Sequence, residues 1–131
     1  MLAGFPIHAT VAASDIARAR AWYESRLGMV PEIEDPNGGL WYRFGENTWL
    51  NVYRTEMAGT ARNTQAGWTV RDIAAVMADL GGRGVVFEEF DLGNGMETVD
   101  GLLTAGPYRA CWFRDSEGNT FEVSQVDGRA E

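Results

Sequence analysis

Residues 8–28, HATVAASDIARARAWYESRLG, decide how this chain reads. Side chains of residues 7–13 alternate between two faces of a strand, with Ile7, Ala9 and Val11 on one and His8, Thr10 and Ala12 on the other. Ser14 or Asp15 then offers an oxygen to cap a helix. Over 15–27, Ile16, Ala19, Trp22, Tyr23 and Leu27 recur near the helical period, and Gly28 is placed to end the helix in the left-handed conformation. Three shorter strands are expected at about 29–33, 39–44 and 48–53. The turn signals Asp35-Pro36-Asn37-Gly38-Gly39 and Gly45-Glu46-Asn47 separate them.

The same order then begins again. Residues 55–64 carry no apolar periodicity and read as a linker. Setting QAGWTVRDI (65–73) against HATVAASDI (8–16) places Gln65 on His8, Asp72 on Asp15 and Ile73 on Ile16. A helix over 72–80 follows, with Ile73, Val76, Met77 and Leu80 on its apolar side and Gly81-Gly82 as its stop. Strands are expected near 84–90, 108–114 and 120–125, the last two joined by a hairpin turn at 115–119. Strand, helix and three strands thus occur twice, the mark of an internal duplication. The long stretch 90–107, with Gly93, Gly95, Gly101 and Gly106, reads as an extended loop or flap.

Composition narrows the function. A chain of 131 residues is one domain's worth. Nineteen acidic residues against eleven basic ones, all arginine, give a net charge of −8. Phosphate backbones are repelled by such a surface, so no nucleic-acid partner is expected, whereas a cationic or neutral ligand is tolerated. Apolar runs of only a few residues predict no membrane span, and the N-terminal residues lack the pattern of a signal peptide, so a cytoplasmic protein is expected. Cys111 is the only cysteine, which excludes an intrachain disulfide, a Cys-rich zinc site and an iron–sulfur cluster. Within the apolar run 110–113 it reads as a buried, inert thiol.

With these elements placed, the sequence resembles the vicinal oxygen chelate superfamily of glyoxalases and bleomycin-resistance proteins. The residues that carry the resemblance are His8-Ala9-Thr10-Val11 leading into Ser14-Asp15-Ile16, then Ala21-Trp22-Tyr23-Glu24 and Leu27-Gly28, and Val70-Arg71-Asp72-Ile73 in the second half. The most specific piece is the closing hairpin, Phe113-Arg114-Asp115-Ser116-Glu117-Gly118-Asn119-Thr120-Phe121-Glu122. The match runs from about residue 7 to 125. It implies an α+β fold of two βαβββ modules, about 5–54 and 65–126 with linker 55–64, within one domain. Their sheets would form a half-open, eight-stranded, barrel-like surface with the helices on the convex faces and one cleft on the concave side. It also implies a homodimer.

The family's metal sites take ligands from the first and last strands of each module. Carried over, those positions are His8, Asn51, Gln65 and Glu122. Strand alternation agrees, sending Trp49, Asn51, Tyr53, Gln65 and Glu122 to the cleft and Leu50, Val52, Phe121 and Val123 to the core. For Trp41 against Tyr42, and Cys111 against Trp112, both faces are apolar and the pattern leaves the choice open. Only His8, Gln65 and Glu122 remain as metal ligands, with a single negative charge among them, so a divalent ion would be held weakly and no cofactor is expected. A single histidine rules out the two-histidine facial triad of an extradiol dioxygenase and disfavours the fosfomycin-type thiol transferases.

The expectation is therefore a small-molecule binding protein with an aromatic cleft formed by His8, Trp49, Asn51, Tyr53 and Gln65. The alternative is a metal-dependent lyase or isomerase of glyoxalase type acting on a vicinal-oxygen substrate. In that case Glu122 would be the catalytic base that moves the proton.

Overall fold

The computed structural model describes residues 1–127. Strand β1 (Ala9–Ala13) leads through Asp15 into helix α1 (Ile16–Trp22). The Asp15 carboxylate caps this helix by accepting from the Arg18 backbone N–H at 2.9 Å. The helix does not run evenly to Leu27. Residues Tyr23–Leu27 form a wider, π-type turn, and Gly28 closes it with φ +68°, in the left-handed region that suits glycine. Strands β2 (Ile33–Glu34), β3 (Leu40–Phe44) and β4 (Thr48–Arg54) complete the first half. The second half repeats the step. After β5 (Thr64–Thr69), Asp72 caps α2 (Ile73–Gly82) by accepting from Ala75 N–H at 3.1 Å. Asp15 and Asp72 thus begin equivalent helices, as the repeat predicts.

Residues 84–90 differ from expectation. They form no strand: the backbone contact to their neighbour is an isolated bridge between Phe87 and Phe113 with a hydrogen bond from Glu88 N–H to Trp112 C=O, 2.8 Å. Residues 90–107 are not a plain flap. They contain β6 (Thr98–Val99) and β7 (Leu102–Ala105), joined at Asp100-Gly101. Both turn residues have positive φ, +51° and +82°, the backbone of a tight type I′ hairpin. Strands β8 (Tyr108–Arg114) and β9 (Thr120–Val126) end the fold.

Among the described residues, nine strands make two sheets, ordered β1-β4-β3-β2 and β5-β9-β8-β7-β6. The count corrects the expected eight: the hairpin in the long stretch adds two strands, and the expected strand at 84–90 is lost. Each sheet holds one parallel pair, β1 with β4 and β5 with β9, and is otherwise antiparallel. Thr10 pairs with Asn51 and Gly67 with Glu122, so the two halves share one register.

One core lies between the sheets and both helices. Val11, Leu40, Tyr42, Leu50 and Val52 of the first sheet meet Phe113, Phe121 and Val123 of the second, with Tyr23 of the π-type turn and Ile73 of α2 among them. Trp68, Phe113 and Phe121 form an aromatic layer there, with ring centroids 5.3–6.1 Å apart. Tyr42 and Cys111 point into this core, which settles the open alternation: Trp41 and Trp112 face the other side. Burial pushes the Cys111 thiol up to about 11, which suits an inert side chain.

Candidate functional site

The helix-free face of the first sheet gathers most of the expected site residues. Pairing sets Trp41 opposite Asn51 and Arg43 opposite Trp49, with Thr10 on the far side of Asn51 and Ala12 beside Tyr53. His8 precedes β1 by one residue and is exposed, its ring 4.9 Å from that of Trp41. Pro6, Ile7, His8, Ile33, Trp41 and Trp49 line an open cavity of about 320 Å³. The Arg43 guanidinium lies 5.5 Å over the Trp49 ring and is held by Glu32, with Nε 2.7 Å from its carboxylate.

A second cavity lies beside the first, lined by Thr10, Asp35, Asn37, Gly39, Asn51, Tyr53 and Arg54. Asp35 is the anchor of the turn above it. One carboxylate oxygen accepts from the Asn37 and Gly39 backbone N–H groups, both at 2.9 Å, and the other accepts from the Trp41 indole N–H at 3.0 Å. The Trp41 hydrogen bond first, then the Gly39 N–H, hold the Asp35 carboxyl below its usual value. The Asn51 side-chain oxygen is buried and has no hydrogen-bond partner.

Gln65 and Glu122 are placed elsewhere. Gln65 sits at a register shift in β5, and both ends of its amide are engaged. It donates to Asn119 Oδ1 and accepts from the Thr120 N–H, each at 3.1 Å. Glu122 is half-buried between Gly67 and Trp112 on the second sheet. The Tyr108 phenol lies within reach of its charge. Burial, followed by the Glu122 charge, pushes that phenol up to about 12. The cavities lined by His8, Trp49 and Asn51 include neither Gln65 nor Glu122.

This donor set does not fit a resident metal. His8 packs on Trp41, the Gln65 amide is spent within the chain, and the Asn51 oxygen lies by Asp35. Among the described residues, no three His, Cys, Asp or Glu side chains converge to hold an ion. Sequence reading missed Asp35, which it took only as part of a turn, and left Trp41 undecided. The Asp-Pro-Asn-Gly-Gly signal marks the turn, but the indole that Asp35 accepts from is visible only in three dimensions.

No protein-family model matches the chain, and no curated protein matches it. Solved structures do. A glyoxalase/bleomycin resistance protein from Catenulispora acidiphila is 24% identical, with a TM-score of 0.68 over 93% of this chain and 98% of that one. TnmS3, an antibiotic binding protein from Streptomyces sp. CB03234, is 20% identical, with a TM-score of 0.68 over 94% and 98%. The fosfomycin resistance protein FosX of Listeria monocytogenes, solved with Mn(II), is 13% identical, with a TM-score of 0.61 over 91% and 87%. At these identities the likeness speaks for architecture, and the architecture is the one the closing hairpin suggested: the chain has the fold of the glyoxalase and bleomycin-resistance proteins of the vicinal oxygen chelate superfamily.

Proposed function

We propose that this protein binds a small, flat organic molecule on the helix-free face of its first sheet, without a tightly bound metal. One observation carries the reading. His8, Trp41 and Trp49 bound a single open cavity and stay partly in water instead of packing into the core. Flat rings left at a cavity wall are the usual lining of a small-molecule site, because a ligand's apolar face displaces water from them. Trp49 supplies the stacking surface, His8 and Trp41 the opposing rings, and Asn51 and Tyr53 polar contacts further along β4. That TnmS3 is an antibiotic binding protein makes a binding role on this fold reasonable. The lyase reading has less support here, because Glu122 shares no described cavity with His8 and the Gln65 amide is engaged.

The reading includes a homodimer. Ile7 and Ile33 line the cavity yet are strongly exposed, and Phe5, next to them in the chain, is exposed too, so a second copy could cover them. Light scattering at micromolar concentration should give twice 14.4 kDa.

Calorimetric titration with a neutral flat probe, 2-(1-naphthyl)ethanol, tests the binding role. Trp49→Ala should weaken binding about ten-fold, roughly 1–1.5 kcal/mol. The unfolding midpoint should barely move. Equal binding by wild type and variant would place the site elsewhere. Dialysis against chelator followed by elemental analysis should leave far less than one metal per chain, and a full equivalent of Ni, Zn, Mn or Fe would overturn the metal-free reading.

A further inference from the structure

Asn51 and Asp35 present a feature that a purely aromatic site does not need. A β-carbon built on Gly39 would lie 2.5 Å from Asp35 Oδ2 and 3.2 Å from Asn51 Oδ1. Both oxygens therefore crowd the Gly39 backbone, within about 6 Å of each other, where only a residue without a side chain fits. Neither can donate to the other. Asp35 Oδ2 has one donor, the Trp41 indole, and Asn51 Oδ1 has none while being buried. A buried acceptor without a donor is costly, so this pair calls for a group rich in N–H. Asp35 and Asn51 both line the cavity that has Thr10 and Tyr53 in its wall. The arginine in that wall, Arg54, has its own carboxylate in Glu56, 3.9 Å away.

We propose that Asp35 and Asn51 form a subsite for a protonated amine, so that the ligand class is a flat aromatic compound carrying an ammonium group. The inference rests on the aromatic site proposed above and adds the cation. Geometry joins the two. Trp49 and Asn51 project from the same face of β4 two residues apart, about 7 Å along the strand. Trp41 lies opposite Asn51 on β3, with its ring against His8 and its N–H on Asp35. A ring stacked at Trp49 can thus carry a two-carbon arm to the Asp35–Asn51 oxygens. An ammonium has three donors and no acceptor, which matches these two oxygens plus solvent. The pair would bind it through charge-assisted hydrogen bonds.

The test uses two probes of one shape, 2-(1-naphthyl)ethylamine, protonated at pH 7, and 2-(1-naphthyl)ethanol, titrated calorimetrically against the full chain at physiological salt. The amine should bind wild type at least ten-fold more tightly than the alcohol. Asp35→Asn keeps an oxygen for the Asn37 and Gly39 N–H groups. It should remove the amine's advantage over the alcohol within that variant, and an unchanged urea midpoint reports that the fold is intact. Asn51→Asp should raise amine affinity several-fold by adding a second charge. If the Asn51 amide instead donates to Asp35, that variant would gain nothing, and the subsite would be refuted. Equal binding of both probes to wild type would refute it too. So would an amine preference that survives Asp35→Asn, since it would come from the overall charge of −8. Failure of both probes to bind would count against the aromatic site itself and, with it, against the subsite.

Discussion

Two turns occupy equivalent places in the two halves of this protein, and they behave differently. Residues 45–47 join β3 to β4, are exposed, and hold Glu46 and Asn47 at φ +57° and +58°. Residues 115–119 join β8 to β9 and bury Asp115, Glu117 and Asn119. The second turn reaches across to the first half. Glu117 accepts from the Ser14 and Asp15 N–H groups at 3.0 and 3.1 Å and from Arg18 Nε at 2.8 Å, so it covers the start of α1 from about a hundred residues away. Tyr23 donates to Asp115 at 2.7 Å, and Asn119 donates to Ala12 C=O at 2.7 Å. The two halves carry similar hairpins, and the second is the one that reaches across to fasten them. The first sheet, freed from that duty, keeps its open face for exposed rings and an unpartnered oxygen.

Removing Asn119 should break this contrast most sharply. The side chain is 1% exposed, donates to both Ala12 C=O and Asp115, and accepts from Gln65. Asn119→Ala strands these buried partners and should cost about 3–5 kcal/mol in urea unfolding. In the first turn, Asn47→Ala should cost about 1 kcal/mol or less, mainly for the left-handed backbone. Similar losses at the two sites would mean that the hairpins are equivalent after all.

Acid sharpens the same contrast. Burial alone would raise the Glu117 carboxyl, but hydrogen bonds from Arg18, Ser116 and the Asp15 N–H hold it at about 2, against an ordinary 4.5. A carboxyl lowered in the folded state stabilises the fold above its unfolded value and loses that contribution as protons bind. The Glu117 share, roughly 2–3 kcal/mol, should therefore be intact above pH 4.5 and disappear between pH 4.5 and about 2. Glu117→Gln should flatten the stability profile across that window. A wild-type profile already flat there would mean that the carboxylate does not fasten the halves.

How much of this was legible in the sequence follows from the range of each interaction. Asp15 and Asp72 could be read as helix starts because a cap acts over three residues. The faces of β4, β5 and β9 could be read because alternation is local. The choice between Trp41 and Tyr42 could not, since both are large and aromatic and only the register of β3 against β4 decides it. The β6–β7 hairpin was legible and overlooked: Asp100-Gly101 between Thr98-Val99 and Leu102-Leu103 is a strong two-residue turn signal, masked by the glycines around it. The fastening role of Glu117 and the engagement of Gln65 depend on partners some 54 to 103 residues away, which no local pattern encodes.

The smallest effect tests whether the first turn is as free of duties as the comparison holds. Glu46 occupies the left-handed region, where a side chain with a β-carbon is strained and glycine is not. It belongs to neither the core nor the contacts between the halves, and its side chain is exposed. Glycine relieves the strain but leaves the unfolded chain more freedom, and the two effects oppose one another. The strain is the larger, so Glu46→Gly should stabilise the protein by about 0.5–1 kcal/mol, read as a small rise in the urea midpoint at unchanged slope. The equivalent experiment is not open to the second turn, where Gly118 already holds the positive φ of +85°. Substituting Ala there should destabilise, because a β-carbon would meet the Gly59 backbone at 3.0 Å. A destabilised Glu46→Gly variant would give Glu46 a role that its exposed position does not suggest. The first turn would then be a second fastening, and the division of labour between the two halves would fail.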